Sequence, residues 1–198
     1  MQEILALTAE LDRIGSPLRF RFRGFDDASP LSLRYVATAL DIDQRFKSFA
    51  LRRVCEIGAG FGGLALALAR LMPIGTYEVY DLPEVAGLTV QYLRGHRVHA
   101  TARDLSLNDS NDLEYDLFIS NYALSELRRD VQLKFIGTII QRSRMGYVLW
   151  NSLGESQMGG MALKEFLSYL VEPTVTPEQP MTSPDNQLVT WGASLEVG

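Results

Sequence analysis

Apolar positions recur along this chain at two periods, and the change of period divides it. In residues 2–14, Ile4, Leu5, Leu7, Leu11 and Ile14 fall at helical spacing. Gly15, Ser16 and Pro17 end that helix. In residues 19–25, arginine then alternates strictly with an apolar or small residue through Gly24. In an extended chain this puts Arg19, Arg21 and Arg23 on one face and the phenylalanines on the other. The pattern predicts an arm pinned by its aromatic rings, its arginines either solvated or clamping an anion. Ser29 and Pro30 suit the N-cap and first position of a helix carrying Leu31, Leu33, Tyr35, Val36 and Leu40. A further segment over 43–49 leads into a strand.

From Arg53 onward short apolar runs alternate with helix-forming stretches, the pattern of a parallel α/β sheet. Strands are predicted near 54–57, 76–81, 97–101, 117–121 and 147–151. Helices are predicted near 62–71, 83–94, 129–142 and 163–171, with a short one near 106–111. Residues 174–176 and 188–191 are two β-like runs joined by a turn holding Pro177, Pro180 and Pro184. With no helical crossover between them they pair antiparallel. The expected architecture is five parallel strands closed by an antiparallel C-terminal hairpin, with helices on both faces. Residues 1–50 form a helical and extended cap, and 51–198 the sheet domain.

Composition narrows the partners. The chain has 198 residues, 46% hydrophobic and 22% charged, with a net charge of −5. A sequence pI near 5.1 supplies no global attraction to nucleic acid or anionic membrane. The first residues lack the basic and apolar regions of a signal peptide, and no apolar run approaches the roughly 20 residues of a membrane span. A cytoplasmic protein with neither a nucleic-acid nor a membrane partner is expected. The single cysteine, Cys55, excludes an internal disulfide and reads as an inert core thiol.

The chemistry gathers where the strands end, the edge at which an open α/β sheet binds ligands. Residues 53–63, Arg-Val-Cys-Glu-Ile-Gly-Ala-Gly-Phe-Gly-Gly, are an apolar run, an acid and a glycine-rich turn, followed at once by the helix-forming Leu64–Ala69. Gly58, Gly60 and Gly62 or Gly63 permit a tight turn and a close approach to a ligand. The unpaired N–H groups of the helix start face a polar or anionic group. Asp81 ends the second strand, 21 residues beyond Gly60, where an acid accepts hydrogen bonds from both ribose hydroxyls of a nucleoside. Asp104 follows the third strand, placed for an adenine amino group or as a plain helix cap. The fourth strand opens into Ser120-Asn121-Tyr122-Ala123-Leu124-Ser125-Glu126.

A glycine turn and an acid also fit a nicotinamide-dependent oxidoreductase. Glu56 argues against it, since dinucleotide folds carry an apolar residue two positions before the first glycine. No Tyr-x-x-x-Lys pair is present either. A non-catalytic binding module on the same fold is a third reading.

Residues 56–62, Glu-Ile-Gly-Ala-Gly-Phe-Gly, resemble the first motif of the class I S-adenosylmethionine-dependent methyltransferases, and Asp81 matches their ribose-binding acid. A narrower resemblance is to the sugar O-methyltransferases. It rests on residues 56–65, on Asp81-Leu82-Pro83-Glu84 and on residues 116–127. The resemblance extends from about residue 50 to 192, one domain's worth. It implies a Rossmann-like, seven-stranded, mostly parallel sheet and S-adenosyl-L-methionine as cofactor. The implied cofactor cradle is Glu56, Gly58, Ala59, Gly60, Gly62, Asp81, Leu82, Asp104, Leu105 and Asn121. The segment ahead of the glycine turn is shorter than in those relatives, and substrate specificity lies partly there.

The expected acceptor is a small molecule such as a sugar. Glu126 is the candidate general base, with Tyr122, Asn121 and Asn151 orienting the acceptor; an acid near a helix N-terminus is also favoured by the macrodipole alone. Arg34 and Tyr35 are expected to line the same cleft. Residues 151–160, polar and glycine-rich, are expected to form a mobile loop over it. His96 and His99 precede the third strand, at the wrong edge of the sheet, and no metal-ligand pattern is visible.

Overall fold

The computed structural model describes residues 2–104 and 113–192. It begins with helix α1 (Gln2–Leu11), strands β1 (Phe20–Phe22) and β2 (Phe25–Ala28), and helix α2 (Pro30–Phe46). The alternating arm is therefore not single. It folds back as an antiparallel hairpin, so its backbone groups find partners within it. Phe20 and Phe22 do not pin it: they are 53% and 40% exposed. Arg19 is exposed and at the same time anchored, donating to the Asp12 carbonyl at 2.7 Å and to Asp27 at 3.2 Å. Helix α2 runs without a break into the segment kept separate by the sequence pattern. Its start is capped by the buried Asp12, which accepts from the Ser29 N–H at 2.9 Å and the Ser32 hydroxyl at 2.6 Å. The Ser29 side chain makes no cap bond.

The remaining elements are β3 (Leu51–Ile57), α3 (Gly63–Leu71), β4 (Ile74–Asp81), α4 (Pro83–Gly95), β5 (Thr101–Asp104), β6 (Tyr115–Asn121), α5 (Arg129–Thr138), β7 (Ser143–Trp150), α6 (Leu163–Leu167), β8 (Thr174–Pro177) and β9 (Gln187–Trp191). Seven strands form one sheet in the order β5-β4-β3-β6-β7-β9-β8. All pairs are parallel except those of β9, which runs against both β7 and β8. The predicted mostly parallel sheet with an antiparallel C-terminal hairpin is what forms.

Several boundaries move, and β3 and β7 begin earlier than predicted, at Leu51 and Ser143. The third parallel strand occupies 101–104, not 97–101: Arg97 takes a φ of 60° and turns the chain out of α4. The apolar residues Val98 and Ala100, which suggested a strand, pack on the core from a loop. The helix predicted over 129–142 stops at Thr138, and a short 3-10 turn (Ile140–Arg142) leads into β7. α6 is shorter than its sequence pattern. The short helix expected near 106–111 lies outside the described residues.

The pleat divides the core into two layers. Val54, Val79, Leu117, Ile119 and Leu149 face α1–α4. Cys55, Ile57, Phe118, Val148 and Val189 face α5 and α6. Helix α3 is buried from Gly63 to Leu68, because the sheet lies on one side and α2 on the other. Burying each of Leu64, Leu66 and Leu68 is worth roughly 1.5–3 kcal/mol. That packing holds the glycine turn rigidly at the head of α3.

Candidate functional site

From β3 the chain steps outward to β4 and β5, then crosses back to β6 on the other side of β3. In open α/β sheets ligands bind where that order reverses, here at the carboxyl ends of β3 and β6. The glycine turn forms its floor. Gly58 donates to the Tyr80 carbonyl at 2.9 Å and has a φ of 72°. A Cβ there would lie 2.2 Å from that of Ala123. Gly60, at φ 55°, is different: a Cβ would meet nothing nearer than the Tyr35 hydroxyl at 3.8 Å. The turn is thus closed beneath Gly58 and open above Gly60. Ala59 is buried and its carbonyl accepts from the Gly62 N–H, while Gly62 caps α3. Two residues outside the motif brace the turn. The Thr89 hydroxyl donates to the Gly60 carbonyl, and the Tyr35 ring lies against Gly63 and edge-on to Phe61.

Two acids flank the turn. Glu56 is buried and accepts a 2.7 Å hydrogen bond from the Tyr77 hydroxyl. Burial pushes its pKa up to about 7; the Tyr77 bond opposes this and the Asp81 charge adds to it. Asp81, partly exposed at the end of β4, accepts from the Leu82 N–H at 2.8 Å. Leu82 itself is 58% exposed. Asp104 is the last residue of β5, in register with Asp81, rather than just past the strand. Leu105 lies outside the described residues.

At the opposite wall, the Asn121 Oδ1 atom is buried with no hydrogen-bond partner among the described residues. A buried orphan acceptor is costly and calls for a missing partner. Tyr122 follows with φ 67° and ψ −31°, a strained conformation for a bulky side chain. Its hydroxyl accepts from Arg34 and donates to Glu178, with Thr182 at 3.1 Å. The Arg34 guanidinium also sits 4.6 Å from the centre of the Tyr122 ring. Glu178 was absent from the sequence reading, yet it is buried and pairs with Arg34 at 3.1 Å. Burial alone would raise its pKa. Hydrogen bonds from Thr182, Tyr122 and Asn186 outweigh that and hold it below the ordinary carboxylate value. Burial and the bond to Glu178 raise the Tyr122 pKa, so the phenol stays neutral.

Glu126 is exposed at the end of a 3-10 turn (Ala123–Glu126) and accepts from the Asn151 Nδ2 at 2.7 Å. Asn151 is buried and its Oδ1 accepts from Ser125 and the Leu153 N–H, so it holds Glu126 to the turn after β7. Within the stretch expected to be a mobile loop, residues 154–158 form one turn of π-helix, and Gly154 lies against the Ser125 carbonyl. Gln132 ties both turns together, donating to Leu124 and accepting from Met161. His96 is buried far from this edge, its Nδ1 within 3.2 Å of Glu10. Among the described residues no group of three or more metal-ligating side chains occurs, and no helix is long and apolar enough to cross a membrane.

The strand order, the reversed β9 and the glycine turn between β3 and α3 define a Rossmann-like methyltransferase fold. The chain is similar to several solved structures of that fold. One is the N-terminal domain of EvdMO1 with SAH bound, at 19% identity and a TM-score of 0.61, covering 98% of this chain and 97% of that one. The same domain has been crystallised in the presence of SAH and D-fucose. Another is PigF with SAH, at 16% identity and a TM-score of 0.57, over 79% of this chain. A third is the mitomycin 7-O-methyltransferase MmcR, at 16% identity and a TM-score of 0.57, over 80% of this chain. This chain spans about half the length of PigF and MmcR, 54% and 53%. No protein-family model and no curated protein matches the chain.

Proposed function

We propose that this chain is an S-adenosylmethionine-dependent methyltransferase acting on an oxygen of a small-molecule acceptor. The observation that carries the reading is the convergence on one open glycine turn of two acids, Glu56 and Asp81, and an orphaned buried acceptor, Asn121 Oδ1. The residues present fit the cofactor. Glu56 faces an ammonium group, directly or through water. Asp81 accepts from ribose hydroxyls, and the backbone of Gly58, Ala59, Gly60 and Gly62 lies beneath. Asn121 and Leu82 would complete the cradle. The three similar proteins, two of them solved with SAH, support the assignment.

When bound, the cofactor supplies a methyl group on a sulfonium. The chain must then hold an acceptor oxygen in line with it and exclude water, which is where most of the rate comes from. Glu126, fixed by Asn151, takes the acceptor proton. Tyr122 and Arg34 orient the acceptor from the other wall, with Tyr35 over the turn. A sugar hydroxyl as acceptor is supported by the motif resemblance and by the EvdMO1 domain crystallised in the presence of D-fucose.

Calorimetry with S-adenosylhomocysteine tests the reading. Binding by the wild type, lost in Asp81→Ala, is expected. Absence of binding by a folded wild type would sink it.

A further inference from the structure

A cavity of about 920 Å³ lies between α2, the β1–β2 hairpin and the loop after β8. Nine of the twelve residues around it are apolar, among them Ile4, Phe22, Leu31, Ala37 and Pro180. Its polar end is built from Arg34 and Thr182, and both reach the Tyr122 hydroxyl at the sheet edge. A second cavity of about 630 Å³ shares Ala37, Leu40 and Pro180 with the first and continues along α2 beside β8. The result is a groove that is mainly apolar between α2 and the hairpin, with Arg23 on its lining, turns mixed beside β8 where Asp41, Gln44 and Arg45 line it, and ends at the wall assigned above to the acceptor.

A free monosaccharide does not match this surface. Each sugar hydroxyl taken out of water needs a hydrogen-bond partner, and a wall of Leu, Ile, Phe and Pro side chains provides none. The volume falls in the range that encloses a drug-sized ligand rather than one sugar ring. We propose that the acceptor is an amphiphile. Its hydroxylated head sits at Arg34, Thr182 and Tyr122, and an apolar body fills the groove along α2. For a sugar head this means a glycoside with an apolar aglycone. The inference rests on the methyltransferase reading for the role of the head, but the groove itself is read from its lining alone.

Octyl β-D-glucoside, kept below its micelle-forming concentration, and methyl β-D-glucoside share a head and differ only in the apolar tail. Titration calorimetry of both, and of S-adenosylhomocysteine, tests the two ideas separately. The octyl compound is expected to bind at least about 100-fold tighter than the methyl one, since each buried methylene contributes several-fold. Ala37→Trp, which fills the groove, and Leu31→Asp, which charges its rim, are each expected to weaken octyl glucoside binding at least about 10-fold. Both should leave the affinity for S-adenosylhomocysteine unchanged, which also reports that they fold. Equal binding of the two glucosides would overturn the proposal, as would octyl binding that neither substitution weakens. A concentration-dependent dimer by light scattering, abolished by Leu31→Asp, would also overturn it and make the groove an interface between copies. Tail-dependent binding without any binding of S-adenosylhomocysteine would support the groove and overturn the methyltransferase reading alone.

Discussion

The Tyr77 hydroxyl donates a 2.7 Å hydrogen bond to the Glu56 carboxylate inside the core, directly beneath the glycine turn. The bond joins neighbouring strands and fixes a buried acid at the base of the turn. Burial still dominates, and Glu56 titrates near pH 7 rather than 4.5. Between those values the folded chain keeps a proton that the unfolded chain has lost. Stability is therefore greatest below about pH 4.5 on account of this group and falls as pH rises toward 7. Glu56→Gln keeps an acceptor for Tyr77 and removes the charge. At pH 8 it is expected to raise the stability of the free protein by up to about 3 kcal/mol. The gain should vanish at pH 4, and S-adenosylhomocysteine affinity should fall. Urea unfolding of both proteins at the two pH values measures this; an equal gain at both would contradict the assignment.

Gly58 and Gly60 separate the structural and ligand-facing sides of the turn. Gly58→Ala combines a positive φ with a clash against Ala123, and should cost about 2–4 kcal/mol. Gly60→Ala has room for its methyl group and should cost about 1 kcal/mol, from the backbone alone. The second should nevertheless weaken S-adenosylhomocysteine binding, because the new Cβ enters the open side. Thermal melts and calorimetry on the pair distinguish the two effects.

Asn121→Ala removes an Oδ1 atom that makes no hydrogen bond among the described residues. Stability should change by less than about 1 kcal/mol, while affinity for S-adenosylhomocysteine should drop about 10-fold. A large stability loss with unchanged affinity would show that Asn121 supports the fold instead.

Tyr122→Phe leaves Arg34 and Glu178 paired but removes a donor to a buried carboxylate. A cost of about 1–3 kcal/mol is expected, with cofactor affinity retained and turnover reduced. The pH response runs opposite to that of Glu56. The Glu178 pKa is lowered, so its contribution is present above the ordinary carboxylate pKa and is lost as pH falls through the lowered value. Wild type should therefore lose more stability than Glu178→Gln between pH 7 and pH 3, as denaturant midpoints would show.

Local pattern carried the sheet a long way. The central strands β3, β6 and β7 are buried on both faces over most of their length and read as mainly apolar runs. β5 was misplaced because Val98 and Ala100 pack from a loop, and burial leaves the same apolar mark whatever the backbone does. The N-terminal hairpin was missed for the converse reason. Alternation describes one strand or two equally well, and only the pairing of Phe22 with Phe25 reveals the reversal.

The same division runs through the site. Glu56, the glycines and Asp81 lie within one strand–turn–helix–strand unit, where spacing along the chain dictates position in space, and they were legible from residue order alone. Arg34, Tyr122 and Glu178 come from three separate elements, and 144 residues separate the first from the last. Nothing around Glu178, in a turn between Pro177 and Pro180, marks it as buried; its environment exists only once β8 has joined the sheet and brought it to Tyr122. The sequence by itself determined the fold and the glycine turn at the head of α3, because those depend on local periodicity and on glycine's backbone freedom. The cluster of Arg34, Tyr122 and Glu178 was decided only by tertiary structure, because contacts across the chain are set by packing rather than by spacing.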